Sequence, residues 1–342
     1  EQGRPAPGAR RIPGDDALTG LFPLRQGQRG EPVRDLQRRL GSAGLAPTGD
    51  APGHFGASTQ RAVTDFQRLR GLHTSGACDE HTWMALIEAG WRLGDRLLVL
   101  AAPQLRGDDV AELQGALNQL GFDCGRPDGI FGPATVRALE DFQRNGGLVP
   151  DGICGPQTIR TLESLRRQTG SGPGVASVRE ALTEHASLIT LRIVIGQFGG
   201  LSSITRSVTR ALRTSGATVM STDEDEAGAL AAAANRFGAH LYIGFEARPD
   251  TRSLISYYAV PTFESIGGRA LATRIAAGWC TAQLQRPEVR GMRLPVLRET
   301  RMPAVLCSLG PVRAAVDATD AVTDAVVWAL TLWATGGPSP DF

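Results

Sequence analysis

The sequence contains no lysine, so all 36 basic side chains are arginines, and 35 acidic side chains leave a formal net charge of +1. A chain this close to neutrality lacks the positive field that recruits nucleic acid or an anionic membrane surface. It also lacks a long hydrophobic run, because no apolar stretch reaches the roughly 18 residues needed to span a bilayer. These absences argue against a nucleic acid partner and against a direct membrane span.

Cysteine is scarce, and the spacing offers no Cys-x-x-Cys pair among Cys78, Cys124, Cys154, Cys280 and Cys307. A metal site or a disulfide is the alternative to buried, reduced thiols, and the spacing favours reduced thiols. The amino terminus, which begins Glu-Gln-Gly-Arg-Pro, shows no hydrophobic core of a signal peptide. Both features favour a cytoplasmic protein, with export to the cell wall as the alternative.

An internal repeat is the strongest organisational signal in the chain. Residues 29–40 are matched by residues 106–117, and the Phe-Gln-Arg at 66–68 is matched by that at 142–144. Each copy spaces its apolar residues three or four apart, as in an amphipathic helix, and interrupts this pattern with Gly, Pro and Asp-Gly turns. The repeat therefore predicts two all-α modules of three helices each.

The two copies resemble the peptidoglycan-binding repeat family, whose pattern is Asp-Gly-x-Phe-Gly-x-x-Thr, then Ala-x-x-x-Phe-Gln, then Asp-Gly-x-x-Gly-x-x-Thr. The second copy keeps this pattern in full, with the motif residues Asp128, Gly129, Phe131, Gly132, Thr135, Phe142, Gln143, Asp151, Gly152 and Thr158. The first copy has Pro52 in place of the first Asp and Ser75-Gly76 in place of the second Asp-Gly. The resemblance implies a muropeptide or peptidoglycan fragment as a ligand.

After a Gly-rich stretch, residues 188–336 alternate strand-like and helix-like patterns, which predicts an α/β domain with a central twisted sheet flanked by helices. Strands are expected at 190–195, 217–221, 241–245, 254–260 and 304–309. Helices are expected near 201–214, 225–237, 264–283 and 317–334. The whole chain then divides into a flexible tail (1–20), a first module (21–96), a second module (97–168), a linker (169–187), the α/β domain (188–336) and a tail (337–342).

The α/β segment resembles the zinc-dependent N-acetylmuramoyl-L-alanine amidase domain, on residues 238–243 and 300–306. The resemblance implies a zinc site of two His and one Glu, with a further Glu as general base. Where that family places these groups, this sequence has Gln197 with Phe198, then Glu246 and Ser308, and residues 186–222 contain no acidic residue. Zinc is therefore not expected, no catalytic or metal-binding residue is assigned, and the protein is predicted not to be an enzyme.

The corresponding cleft, around Gln197, Phe198, Glu246, Arg248 and Ser308, is expected either to keep some affinity for a ligand or to be filled by side chains. Filling is favoured, because Phe198 and Phe245 are well sized for it.

The order of two repeats, a Gly-rich linker and a degenerate amidase is similar to that of an actinobacterial type of amidase homologue. This resemblance implies a cytoplasmic regulator of peptidoglycan precursor synthesis that acts through a protein partner. The implied partner is the UDP-N-acetylglucosamine carboxyvinyltransferase, which commits its substrate to the pathway. The alternatives are an exported peptidoglycan-binding protein and a weak amidase.

Overall fold

The computed structural model describes residues 22–167, 174–183, 187–224, 226–248, 252–260, 263–279 and 286–335. The tails expected at 1–20 and 337–342, and residues 169–173 and 184–186 of the expected linker, lie outside these described residues. The chain divides into two compact units, of which the first contains residues 22–69 and 73–90 and the second contains 70–72 and everything described from 91 onward.

The first unit is a module of three short helices. They are α1 (Glu31–Ser42), α2 (Ala57–Leu69) and α3 (Glu80–Glu88). Each helix turns an apolar stripe inward, because its apolar residues recur every three or four positions. The core formed in this way includes Leu36, Leu40, Phe55, Phe66 and Leu86, all of them buried.

The second unit begins with an equivalent module, α4 (Asp108–Gln119), α5 (Pro133–Asn145) and α6 (Pro156–Arg166). Pro133 and Pro156 each start a helix, where the missing N–H of proline costs no intrahelical hydrogen bond. The sequence prediction of three helices for each repeat is confirmed. A further helix, α7 (Val175–Thr183), lies in the stretch expected to be linker and precedes the α/β domain.

The α/β domain is built on one mixed sheet, as the sequence predicts. Its strands are β1 (Arg192–Phe198), β2 (Thr218–Thr222), β3 (Leu241–Ala247), β4 (Leu254–Val260), β5 (Phe263–Glu264), β6 (Glu288–Met292) and β7 (Ala304–Leu309). Its helices are α8 (Ser202–Thr214), α9 (Ala227–Phe237), α10 (Ile266–Ala277), α11 (Pro295–Glu299), α12 (Val312–Asp317) and α13 (Thr319–Ala334). The sequence patterns missed the short elements β5, β6, α11 and α12, and they placed the end of α10 too late.

The sheet order is β2-β1-β3-β7-β4-β5, with β6 paired to β4. Strands β2, β1, β3 and β7 are parallel, whereas β4 runs antiparallel to β7. The carboxyl ends of β1, β3 and β7 therefore meet at one edge of the sheet, where α/β proteins gather their functional groups. This geometry brings the strand-end residues singled out from the sequence to the same edge.

Both faces of the sheet are covered by helices. Ile193 and Ile195 of β1 face a core shared with α8, α10 and α13, whereas Val194 faces a second core shared with α9 and α11. Position 196 of this strand requires glycine, because a Cβ there would lie 2.5 Å from the buried Tyr242 hydroxyl oxygen. Among the described helices, none is both long and apolar enough to cross a membrane.

Candidate functional site

The first Asp-Gly loop of the second module is held by the side chain of Gln114 on α4. Its amide nitrogen donates hydrogen bonds to Asp128 Oδ1 at 2.8 Å, to the Ile130 carbonyl at 3.1 Å and to the Thr135 hydroxyl at 3.0 Å. Its amide oxygen accepts a hydrogen bond from the Gly129 N–H at 2.8 Å. Because Gln114 is 1% exposed, these four bonds form inside the module and brace the loop from within.

The same arrangement occurs again in the second Asp-Gly loop and twice in the first module. In every case a helical Gln accepts from a Gly N–H and donates to a Thr hydroxyl and to a loop carbonyl. The four Gln, Gly and Thr sets are Gln37, Gly53, Thr59; Gln67, Gly76, Thr82; Gln114, Gly129, Thr135; and Gln143, Gly152, Thr158. We call this arrangement the Gln brace. Most motif residues predicted from the sequence therefore hold the loops in place.

The remaining motif residues also have structural roles. Phe131 and Phe142 are buried in the module core, and Gly132 precedes the first residue of α5. Gly129 has a φ of +72°, a conformation that side-chain-bearing residues rarely adopt. The sequence interpretation did not single out Gln114 as a site residue, although its alignment with Gln37 in the repeat is a signal that would have found it.

The loop that follows Arg126 in the second module packs against the α/β domain. Arg298 of α11 donates through Nε to the Asp128 carbonyl at 2.6 Å, and the Tyr258 hydroxyl of β4 donates to the Pro127 carbonyl at 3.1 Å. The first Asp-Gly loop of this module is thus covered by another domain of the same chain and does not present a free binding surface.

A buried ion pair lies at the same junction, where the second module contacts the α/β domain. Arg126 and Glu180 of α7 are 2% and 3% exposed, and Arg126 Nε lies 3.1 Å from Glu180 Oε1, outside the direction of a hydrogen bond. Arg126 Nη1 donates to the carbonyls of Thr300 and Met302, both at 3.0 Å. The Ser265 hydroxyl donates to Glu180 Oε2 at 2.9 Å. These contacts tie the second module, α7 and the α/β domain together.

At the carboxyl edge of the sheet, Phe198, Glu246 and Ser308 lie side by side. Phe198 of β1 is in register with Glu246 of β3, which is in register with Ser308 of β7. The Ser308 hydroxyl donates a hydrogen bond of 2.7 Å to Glu246 Oε2. Three of the five cleft residues predicted from the sequence are therefore neighbours on one face, that of the core under α9 and α11.

The other two cleft residues are placed differently. Gln197 points to the opposite face of the sheet, where its side-chain amide hydrogen-bonds the Ser202 hydroxyl of α8 at 3.1 Å. Arg248 follows the end of β3, and its backbone N–H donates to the Leu309 carbonyl at 2.8 Å. Phe245, expected to help fill the cleft, lies instead in the core under α8, α10 and α13, whereas Phe198 is partly buried beside Glu246.

Comparison with known proteins identifies the repeated segments. Residues 29–86 and residues 106–162 each match the peptidoglycan binding domain family. Both segments are similar to this family, and we call them the peptidoglycan binding modules after it. The matched ranges contain all four Gln braces, which are thus part of the architecture of the two peptidoglycan binding modules.

The chain is also similar to curated amidases. It is 42% identical over 136 residues to the N-acetylmuramoyl-L-alanine amidase CwlM of Mycobacterium tuberculosis, covering 36% of this chain and 33% of that protein. It is 31% identical over 146 residues to the N-acetylmuramoyl-L-alanine amidase CwlL of Bacillus licheniformis, covering 36% of this chain and 41% of that protein. The matches thus span between a third and two fifths of the length of these relatives.

Among solved structures, the N-acetylmuramyl-L-alanine amidase Ami1 of Mycobacterium smegmatis aligns with a TM-score of 0.37 and 15% identity. The alignment covers 44% of this chain and 100% of that one.

The donor set at the sheet edge does not fit the zinc ion of an amidase. Within the described ranges, no three His, Cys, Asp or Glu side chains come together in a geometry that could hold a metal ion. The Glu246 carboxylate already accepts the Ser308 hydroxyl, and zinc hydrolases draw their ligands largely from imidazole nitrogens. His240 lies at the opposite end of the sheet, where its Nδ1 accepts from the Arg192 N–H at 3.2 Å.

The four thiols that the structure describes offer no alternative chemistry. Cys78, Cys124, Cys154 and Cys307 are free and buried, whereas Cys280 lies outside the described residues. Burial raises the pKa of Cys124, Cys154 and Cys307 to about 12, so these thiols stay protonated at neutral pH. A protonated thiol is neither a nucleophile nor a good metal ligand.

The first peptidoglycan binding module carries an apolar groove that the sequence interpretation did not identify. The groove has a volume of about 400 Å³ and is lined by Phe22, Leu24, Glu31, Pro32, Arg34, Asp35, Arg38 and Trp83. The Phe22 and Trp83 rings lie 5.5 Å apart between centroids and form an aromatic wall. Apolar walls with a few charged groups at the rim are typical of small-ligand sites.

Proposed function

We propose that this protein is a non-catalytic regulator of peptidoglycan precursor synthesis, located in the cytoplasm and acting through a protein partner. The hydrogen bond between Ser308 and Glu246 is the observation that carries this proposal. It occupies the strand ends where an amidase of this type needs a zinc ligand and a general base. One carboxylate and one serine hydroxyl supply none of the nitrogen donors that zinc hydrolases draw on, and the neutral Ser308 hydroxyl is too weak a base to activate a metal-bound water.

The partner that the sequence resemblance implies is the UDP-N-acetylglucosamine carboxyvinyltransferase, and we propose that this chain raises its activity. The two peptidoglycan binding modules support a link to the cell wall, and we propose that they have separate roles. The second module is fixed against the α/β domain by Arg126, Glu180 and Arg298 and acts as part of the scaffold. The first module, through its groove, binds a muropeptide that reports on the state of the wall.

The regulatory proposal is tested with the purified carboxyvinyltransferase of the same organism, assayed alone and with a molar excess of this chain. An increase of several-fold in its turnover is expected. Equal rates with and without the chain, together with no complex by size-exclusion chromatography, would contradict the proposal. Serum albumin at the same concentration is the control for non-specific stabilisation of the transferase.

The muropeptide role of the first module is tested by titration calorimetry on the full chain. The double variant R34Q/R38Q removes two exposed guanidinium groups from the groove rim and is expected to weaken muropeptide binding about tenfold. The variant R61Q removes an exposed arginine from α2 of the same module, outside the groove, and is the matched control. Equal affinity of both variants would exclude the groove as the site.

The second candidate is amidase activity, which the names of the curated relatives favour. It is tested by incubating purified sacculi with the chain and excess zinc and measuring the release of stem peptides. Stem-peptide release that persists in the variant E246Q/S308A would identify contamination or another site. Release that depends on Glu246 would replace the regulatory proposal with an enzymatic one.

A further inference from the structure

A groove with an excess of positive charge lies beside the polar face of α8. It has a volume of about 740 Å³ and is lined by residues of α8, by Gln197 and by the end of β2. Arg206, Arg210 and Arg213 line it together with one carboxylate, that of Asp223. Since these arginines are spaced by four and three residues, they project from one side of the helix.

The guanidinium groups of this groove are available to a ligand. Arg206 and Arg210 are exposed, and neither guanidinium makes an ion pair or hydrogen bond with another residue that the structure describes. Arg213 donates through Nη2 to the Val219 carbonyl at 2.8 Å, which anchors its guanidinium against β2. The groove therefore combines one fixed cation with two that are free to pair.

A buried hydroxyl in the same groove lacks a hydrogen-bond partner. Thr209 lines the groove and is 6% exposed, and its Oγ1 has no partner among the described residues. A helical threonine usually donates to the carbonyl one turn before it, as Thr205 does to the Leu201 carbonyl at 3.5 Å. Leaving a buried hydroxyl unpaired is unfavourable, so an acceptor in the groove would satisfy it.

We infer that this groove binds a small ligand that carries at least two oxyanion groups, either phosphates or carboxylates. Arg206 and Arg210 are its charge partners, because each guanidinium can direct two N–H groups at one oxyanion. The Thr209 hydroxyl donates the further hydrogen bond. This site is separate from the Glu246–Ser308 pair and from the module groove, and it does not depend on the proposed regulatory function.

The test is titration calorimetry of the full chain in chloride buffer with two probes, pyrophosphate for phosphates and citrate for carboxylates. The variant R206Q/R210Q is expected to bind the preferred probe at least about tenfold more weakly. The variant R236Q/R313Q removes two exposed arginines from helices outside the groove and is expected to change affinity less than about twofold, because it alters only the net charge. Comparison of the two probes identifies the oxyanion class.

The buried hydroxyl is tested with T209V, which preserves the side-chain shape and removes the donor. We expect it to weaken binding of the same probe about threefold or more, with an unchanged circular dichroism spectrum. The inference is overturned if the wild-type chain binds neither probe at millimolar concentration. It is also overturned if both double-arginine variants lose affinity equally, since binding would then reflect net charge alone.

Discussion

Asp128 and Asp151 occupy equivalent positions in the two loops of the second module, and each accepts hydrogen bonds from the brace Gln and from an Ile N–H. Their surroundings shift their pKa values in opposite directions. Burial against the α/β domain raises the pKa of Asp128, although the bond from Gln114 partly offsets it. The Ile153 N–H and Gln143 lower the pKa of Asp151, which is open to solvent. The same motif residue thus favours the neutral form where it is buried, at Asp128, and the ionised form where it is exposed, at Asp151.

The opposite shifts predict opposite pH dependences for D128N and D151N. The raised pKa of Asp128 means that its ionised form disfavours folding at neutral pH, and this penalty fades as pH falls through the folded pKa toward the ordinary value of 3.8. We therefore expect D128N to match or exceed the wild-type unfolding midpoint at neutral pH and to lose that advantage in acid. Urea unfolding at a series of pH values measures it.

For Asp151 the sign is reversed. A lowered pKa stabilises the fold above the ordinary value of 3.8, and the stabilisation is lost as pH falls through the folded pKa. D151N is thus expected to have a lower midpoint than wild type at neutral pH and an equal one in strong acid. Parallel curves for D128N and D151N would show that burial at the domain junction does not control Asp128.

The Gln brace gives a second residue-scale prediction. Q114A removes four hydrogen bonds and should destabilise the Asp-Gly loop by about 2–6 kcal/mol, at roughly 0.5–1.5 kcal/mol for each bond. Faster hydrogen exchange in residues 126–135 is the expected readout. Q119A changes the exposed Gln of the same helix and should leave that exchange within experimental error. Unchanged exchange in Q114A would mean that packing alone holds the loop.

At the element scale, the helix α7 shows how tertiary contacts turn a short segment into a structural element. Its composition next to a Gly-rich stretch favoured a linker with one helical turn at 178–182, and nine residues are few for a helix that must be stable by itself. Glu180, however, is buried against Arg126, which lies 54 positions earlier in the sequence, and it also accepts from Ser265. No local pattern contains that information.

The junction predicts a strong effect for E180Q. The substitution leaves the Arg126 charge buried without its partner and should cost about 3–5 kcal/mol. The exposed pair of the same helix, Arg179 with Asp123, is the matched comparison, and R179Q should cost less than about 1 kcal/mol. Thermal unfolding measures both. A small loss for E180Q, no larger than that for R179Q, would mean that water or a shifted side chain compensates Arg126.

The sheet elements show where sequence patterns succeed. Strands β4 and β7 were predicted with their observed bounds because each is a continuous run of apolar and β-favouring residues between clear breakers. Strand β5, with two residues, and the helix α11, with five, are too short to express a period. At the site, Phe198, Glu246 and Ser308 lie at one edge of the sheet, whereas the alternation of side chains along β1 turns Gln197 to the other face.

At the scale of the whole molecule, the two peptidoglycan binding modules have similar sequences and different surroundings. The repeat reveals both, whereas the packing of the second against the α/β domain depends on Arg298 and Tyr258, which lie more than a hundred residues away in the chain. Contacts over such separations leave no periodic trace in one sequence. The division into two compact units near residue 90 was for this reason beyond sequence reasoning.

This division predicts the behaviour of two fragments. Residues 91–342 keep the second unit except for residues 70–72 and are expected to unfold in a single cooperative transition. Residues 188–342 lack Arg126 and Glu180, so they expose Tyr258 and leave Arg298 without the loop carbonyl. We expect that shorter fragment to aggregate or to bind a hydrophobic dye. Calorimetry of both fragments is the measurement, and equal cooperativity would contradict a shared unit.

The Arg126 guanidinium packs against the Tyr258 ring, 4.8 Å from its centroid, and this contact also bears on how such a chain can evolve. A duplicated module is ordinarily interchangeable, since gene fragments can be lost, gained or reordered as long as each one folds alone. The second module lacks that freedom, because its first Asp-Gly loop packs against the α/β domain. Insertions and deletions between the second module and the α/β domain should therefore be selected against more strongly than those that precede the second module.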